Sequence, residues 1–253
     1  MSQSLKVLLS YDGTQYLGWQ KTRMGPSIQE SLGKAIEHLT GEKILPEAAS
    51  RTDRGVHARG QVIHFLLDTP FNPLRLQRGL NAILPPDIRV VHIEETEIDF
   101  HPTLLATSKE YQYLLCLGPV QEPVYRLYSW HFRSPLDLEK MHSAADQLIG
   151  THNFTSFANE SEKDPQCTLE QITINELPGH QLQISIVGNR FLYKMARNLI
   201  GTLVYIGAGK LSSDCIPALL ASADRKKAGI TAPAHGLYLH QVFYGKINIL
   251  CVK

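Results

Sequence analysis

Ser50-Arg51-Thr52-Asp53-Arg54-Gly55-Val56-His57-Ala58 gathers a carboxylate, three potential cations and a glycine into one short segment. The runs on either side, Lys43-Ile44-Leu45 before it and Gly60-Gln61-Val62-Ile63-His64-Phe65-Leu66-Leu67 after it, carry β-branched and aromatic residues. That pattern predicts a loop held at both ends by sheet, whose side chains point where the scaffold aims them. Asp53 has Arg51 two positions away and Arg54 adjacent, and neighbouring positive charge offsets the desolvation of a partly buried carboxylate. An oriented, ionised aspartate can act as a nucleophile or a base. The same residues also fit a plain turn, in which Thr52-Asp53 ends a strand and Arg51 is a solvated partner.

Working outward, the first part of the chain reads as a strand over 5–11, a loop containing Gly13 and Gly18, a helix over 27–38, a strand, the motif loop and a second strand. Ser27 followed by Glu30 is a capping-box signature, and Ile28, Leu32, Ala35, Ile36 and Leu39 repeat at helical spacing behind it. A second helix fits 73–83, with Leu74, Leu76, Leu80 and Ile83 as its buried side and Pro85-Pro86 ending it. A strand follows over 89–98. After Asp99-Phe100-His101-Pro102 the order begins again, with a strand over 111–117, a long loop over 118–135, a helix over 138–149 and strands over 170–176 and 181–187. The fold class is therefore α+β with α/β alternation, in two similar sheet-and-helix halves that share a cleft. The first half, 1–103, carries the aspartate loop. The second, 104–253, carries the tyrosine strand, a basic helix and a closing strand, so the motif loop is expected to face the second half's sheet.

Composition narrows the class without naming a partner. The 253 residues suffice for one large or two ordinary domains with a real core. The formal net charge of +1 does not by itself suggest a polyanion, which needs a concentrated positive surface rather than a positive total. Cys116, Cys167, Cys215 and Cys251 form no Cys-x-x-Cys pair and read as reduced structural thiols. No apolar run is long enough to span a bilayer, and the N-terminus lacks a leader pattern, which points to a cytoplasmic protein.

The segment Arg51-Thr52-Asp53-x-Gly55-Val56-His57-Ala58, followed by Gly60-Gln61-Val62, resembles the active-site motif of the TruA-type tRNA pseudouridine synthases. Further pieces of that pattern recur in order almost from end to end. They are Tyr11-Asp12-Gly13-Thr14-x-Tyr16-x-Gly18-Trp19-Gln20, Ser27-Ile28-Gln29-Glu30, Asn81-x-x-Leu84-Pro85, Asp99-Phe100-His101 and Ala106-Thr107-x-Lys109-x-Tyr111-x-Tyr113. Later come Asn153-Phe154-Thr155-Ser156-Phe157, Phe191-Leu192-x-x-Met195-x-Arg197-Asn198-x-x-Gly201 and Ala232-Pro233-Ala234-x-Gly236-Leu237-Tyr238-Leu239.

The resemblance implies the pseudouridine synthase fold, with its two halves flanking a positively charged central cleft. It also implies an isomerase that acts on uridines at positions 38 to 40 of the tRNA anticodon stem-loop, as a homodimer and without metal or other cofactor. Asp53 matches the family nucleophile, and attack at C1′, attack at C6 and a glycal route all stay open. Tyr111 matches the tyrosine that stacks on the target base, where base–aromatic stacking is worth about 1–3 kcal/mol, and its phenol could take the C5 proton. Alternating Tyr111, Tyr113 and Leu115 is equally what an ordinary strand looks like. Arg51 matches the arginine that contacts the flipped nucleotide and pairs with the aspartate.

Arg197 lies on a helix expected from about Phe191, where Arg190, Lys194 and Arg197 form a basic stripe beside Leu192, Met195, Leu199 and Leu203. It is assigned to the active site or to phosphate binding, and Gly201 one turn on would admit a close backbone. Leu239 on the closing strand would oppose Tyr111 across the uracil, although a buried strand alone explains it as well. Tyr16 and Trp19 read as anchors of the glycine-bearing loop.

Thr103, Glu110 and Glu170 stand where the family carries positive charge, which predicts weaker or more salt-sensitive tRNA binding, with Arg54 and Arg59 as partial compensation. Two rival readings are a non-catalytic RNA-binding protein and a metal-dependent hydrolase using Asp53, His57 and His64. The intact Arg51-Thr52-Asp53 and Tyr111 weigh against the first. Two histidines seven apart with no carboxylate cluster make a poor ligand set for the second.

Overall fold

The computed structural model describes residues 2–160 and 164–245. Contacts divide the chain into two units, one holding residues up to Thr107 together with the segment from Tyr238 on, the other Ser108–Leu237.

The first unit opens with β1 (Gln3–Tyr11) and α1 (Ile28–Thr40). Ser27 is the N-cap of α1, its hydroxyl accepting from the Glu30 N–H, and Ile28, Leu32, Ala35 and Ile36 form the buried face. The short β2 (Glu47–Ala48) and the long β3 (His57–Leu67) follow, then α2 (Pro73–Ile83) and β4 (Ile88–Glu95). Lys43-Ile44-Leu45 is not a strand. Pro46 follows it and brings no N–H to a ladder, Leu45 is exposed, and pairing with β3 begins only at Glu47. β3 in turn starts at His57, so the last residues of the motif are strand rather than loop. On α2 only Leu76 and Leu80 are buried, while Leu74 and Ile83 face solvent. β1 runs antiparallel to both β3 and β4.

The second unit contains β5 (Ser108–Leu117), β6 (Trp130–Phe132), α3 (Leu138–Asp146), β7 (Gly150–Asn153), β8 (Gln166–Leu177), β9 (Gln181–Gly188), α4 (Met195–Gly207) and α5 (Ile216–Ser222). Its strand order is β5-β9-β8-β7, antiparallel throughout, with β6 parallel to the far end of β5. Residues 118–135 are thus not all loop, since they hold a 3-10 turn at Pro123–Tyr125 as well as β6. The last strand among the described residues, β10 (Leu237–Phe243), pairs parallel with β3, Leu239 opposite Ala58. From Tyr238 on, the closing strand therefore groups with the first unit and not, as expected, with the second.

Each unit is a sheet-and-helix layer, and the fold class is α+β. Among the described residues no helix is long and apolar enough to cross a membrane. Cys116 and Cys167 are buried and Cys215 is half-buried, and Cys251 lies outside the described residues.

Candidate active site

Asp53 opens a turn in which the Val56 N–H donates to its carbonyl at 3.1 Å. The residues leading into this turn are fixed by buried polar side chains. Gln61 on β3 is fully buried; its Nε2 donates to the Ser50 carbonyl at 2.6 Å and its Oε1 accepts from the Ser50 N–H at 3.2 Å. The same Nε2 lies 3.3 Å from the Tyr11 hydroxyl, which in turn bonds the Thr52 hydroxyl at 2.8 Å. The Trp19 N–H donates to the Thr52 carbonyl at 3.0 Å, an approach that needs Gly18. At φ +98°, a Cβ on Gly18 would stand 2.6 Å from that carbonyl. Tyr16 and Trp19 are both buried, and the Tyr16 hydroxyl donates to Asp87 at 2.7 Å. The glycine-bearing loop after β1 is therefore the bed on which the aspartate turn rests.

Asp53 is half-buried, whereas Arg51 and Arg54 are exposed. His57 is buried against Asp12, its Nδ1 lying 3.0 Å from Asp12 Oδ1 and 3.1 Å from the Gly13 N–H. These two contacts require opposite states of Nδ1, a donor toward the carboxylate or an acceptor from the amide, so only one is made at a time. The His57 ring stacks on Tyr238, and the Arg59 guanidinium lies over that tyrosine at 4.8 Å. His64 pairs instead with the Ser4 hydroxyl at 2.9 Å, and burial lowers its pKa. The two histidines of the hydrolase reading thus have separate surroundings. Among the described residues no group of three metal-binding side chains is assembled. Leu239 is fully buried beside Ala58.

The second unit carries the other two predicted residues. Tyr111 is buried on β5 with its ring edge-on to Phe191 at 4.9 Å. Tyr113, two residues on, is core: its hydroxyl donates to the Pro233 carbonyl at 2.9 Å, and burial holds its phenol well above the usual tyrosine range, with Arg197 acting in the opposite sense. The expected basic stripe is not helical. α4 begins at Met195, with Lys194 left-handed at its N-cap (φ +61°), and Arg190 precedes the helix and pairs with Asp164 at 3.1 Å. Arg197 is on α4, its Nε donating to the Ala232 carbonyl at 2.8 Å.

Sequence reasoning passed over Gln61, Tyr11 and Asn198. Gln61, Tyr11 and Asn198 stood inside the matched motifs, but nothing in their spacing announces which backbone they hold. Thr103, read as a missing charge, donates its hydroxyl to the Ala48 carbonyl at 2.9 Å. Glu110 accepts from the Gln112 amide, and Glu170 is exposed.

The half-buried Asp53 thus sits on a turn whose preceding residues, Ser50 and Thr52, are held by buried polar partners in an α+β chain. Residues 8–103 and 144–245 match a family model described as tRNA pseudouridine synthase, and the chain belongs to that family; it is an isomerase. It is 47% identical to tRNA pseudouridine synthase A 2 of Protochlamydia amoebophila (strain UWE25), over 96% of this chain and 94% of the relative. It is 41% identical to tRNA pseudouridine synthase A 1 of the same organism, over 96% and 97%, and 41% identical to tRNA pseudouridine synthase A of Thermoanaerobacter sp. (strain X514), over 96% and 100%.

Proposed function

We propose that the chain converts uridine to pseudouridine in tRNA, at positions 38 to 40 of the anticodon stem-loop, with Asp53 as the nucleophile. The observation that carries this is the seating of Asp53. The family motif that contains it lies within the matched residues, and the backbone before it is held at Ser50 by the buried Gln61 side chain and at Thr52 by the Trp19 N–H. A nucleophile must be within reach and correctly aimed, and a preset turn supplies that without reorganisation.

The reaction breaks the C1′–N1 bond and forms C1′–C5 in the same nucleotide, with N1 gaining a proton and C5 losing one. No electron is transferred to a second molecule, so the chemistry calls for no redox cofactor. Arg51 and Arg197 contact the nucleotide, Tyr111 stacks on the base, and Leu239 lines the pocket in this reading. The modified positions differ in sequence among tRNAs, so recognition rests on shape and backbone. The working form is a homodimer in the cytoplasm.

Tritium release from unmodified tRNA carrying 5-tritiated uridine, in EDTA, tests the proposal. Release by the parent and none by Asp53→Asn is expected. Release by Asp53→Asn at the parent rate would remove the nucleophile assignment, and bound tRNA with no release by either protein would favour a binding role.

A further inference from the structure

The segment 225–233 is stitched to α4 along its length. The Gly229 N–H donates to the Thr202 hydroxyl at 3.0 Å, the Ala232 N–H donates to the Arg197 carbonyl at 3.1 Å, and the Arg197 Nε returns a bond to the Ala232 carbonyl at 2.8 Å. Gly201 permits this closeness, since a Cβ there would fall 1.7 Å from the Ile230 carbonyl oxygen. The position of the Ala232 carbonyl therefore sets where the Arg197 guanidinium is anchored.

Arg225 ties this arrangement together. One terminal nitrogen donates to the Gly229 carbonyl at 2.8 Å; the other donates to Asn198 Oδ1 at 2.8 Å and to the Thr231 hydroxyl at 3.0 Å. Asn198, the immediate neighbour of Arg197, is fully buried, and its oxygen also accepts from the Thr231 hydroxyl at 2.6 Å. Its amide nitrogen donates to the Phe157 carbonyl and to Asn159 Oδ1. Every hydrogen-bonding site of the Asn198 side chain is thus engaged. The Arg225 Nε, by contrast, is buried with no hydrogen-bond partner among the described residues. A planar fork reaching one backbone carbonyl and two side chains does what a lysine ammonium cannot.

We propose that Arg225 is a positioning residue for Arg197, clamping residues 229–232 onto α4 through Gly229, Thr231 and Asn198 so that the Ala232 carbonyl holds the Arg197 guanidinium at its working place. The inference rests on the assignment of Arg197 to the substrate made above. Misplacement of a substrate-orienting group by about 1 Å costs about 10²-fold in rate, and groups that act as one unit give losses that do not multiply.

The test is a double-variant cycle on tritium release, measuring kcat and KM for Arg197→Ala, Arg225→Gln, Arg225→Lys and the doubles with Arg197→Ala, with thermal unfolding alongside. Expected are a fall of about 10²-fold in kcat for Arg225→Gln, a smaller fall for Arg225→Lys, and doubles no slower than Arg197→Ala alone. Parent-like kcat in both Arg225 variants, or losses that multiply in the doubles, would overturn the clamp while leaving the role of Arg197 standing. Parent-like kcat in Arg197→Ala would instead remove the premise, and the proposal with it. Should Arg225→Gln fail to fold, the Arg225→Lys pair decides by the same comparison.

Discussion

Gln61 grips both backbone polar groups of Ser50, donating to the carbonyl at 2.6 Å and accepting from the N–H at 3.2 Å. Because Gln61 is fully buried, water cannot stand in for it. Gln61→Leu leaves two backbone groups of the motif segment without that partner, at about 1–3 kcal/mol each. Urea unfolding should show that loss, and tritium release should fall further than the stability change explains, since the aspartate turn loses its seat. Normal turnover in a destabilised but folded Gln61→Leu protein would show that the clamp is structural only.

Gly18 and Gly41 both have positive φ, but only Gly18 meets backbone where a Cβ would go; Gly41, the C-cap of α1, meets nothing within 4 Å. Gly41→Ala should cost about 1 kcal/mol, the left-handed penalty by itself. Gly18→Ala adds a 2.6 Å encounter with the Thr52 carbonyl and should cost several-fold more while displacing Asp53. Comparing the two unfolding midpoints checks this, and equal shifts would refute the bed described for the aspartate turn.

Burial, and after it the charge of Arg190, lowers the Lys109 ammonium from 10.5 to about 8. Between those values the unfolded chain holds a proton that the folded chain has released, so stability rises with pH across about 8 to 10.5 and the charged form is the costly one below it. At pH 7 the penalty is of the order of a few kcal/mol. Lys109→Met should therefore be more stable than the parent at pH 7, and the gap should close toward pH 10.5. A gap constant over that range would mean that Lys109 titrates normally.

Thr103 is exposed, and its hydroxyl secures the Ala48 carbonyl just ahead of the motif. Thr103→Arg should bind tRNA more tightly at moderate salt, with a steeper salt dependence of about one further phosphate contact. Thr103→Val should leave the salt slope alone and cost about 1 kcal/mol of stability. Unchanged affinity in Thr103→Arg would show that this surface does not meet RNA.

The elements β1, α1, β3, α2, β4, β5, α3, β8 and β9, the Ser27 cap and the ordered motifs around Asp53, Tyr111 and Arg197 could be read in the chain, because periodicity and capping are set by residues within a few positions of one another, whereas the short β2, β6, β7 and α5 could not. The basic stripe could not, since Arg190, Lys194 and Arg197 keep helical spacing while the helix itself starts only at Met195. Lys43-Ile44-Leu45 has strand composition, yet the ladder begins past Pro46. What the tertiary structure alone decided are the long-range partnerships. Tyr11 meets Thr52, Arg225 meets Asn198, and β10 returns to pair with β3. Burial fixes these choices, because a polar group taken from water must find its partner wherever the fold brings one, and no local pattern of residues says where that will be.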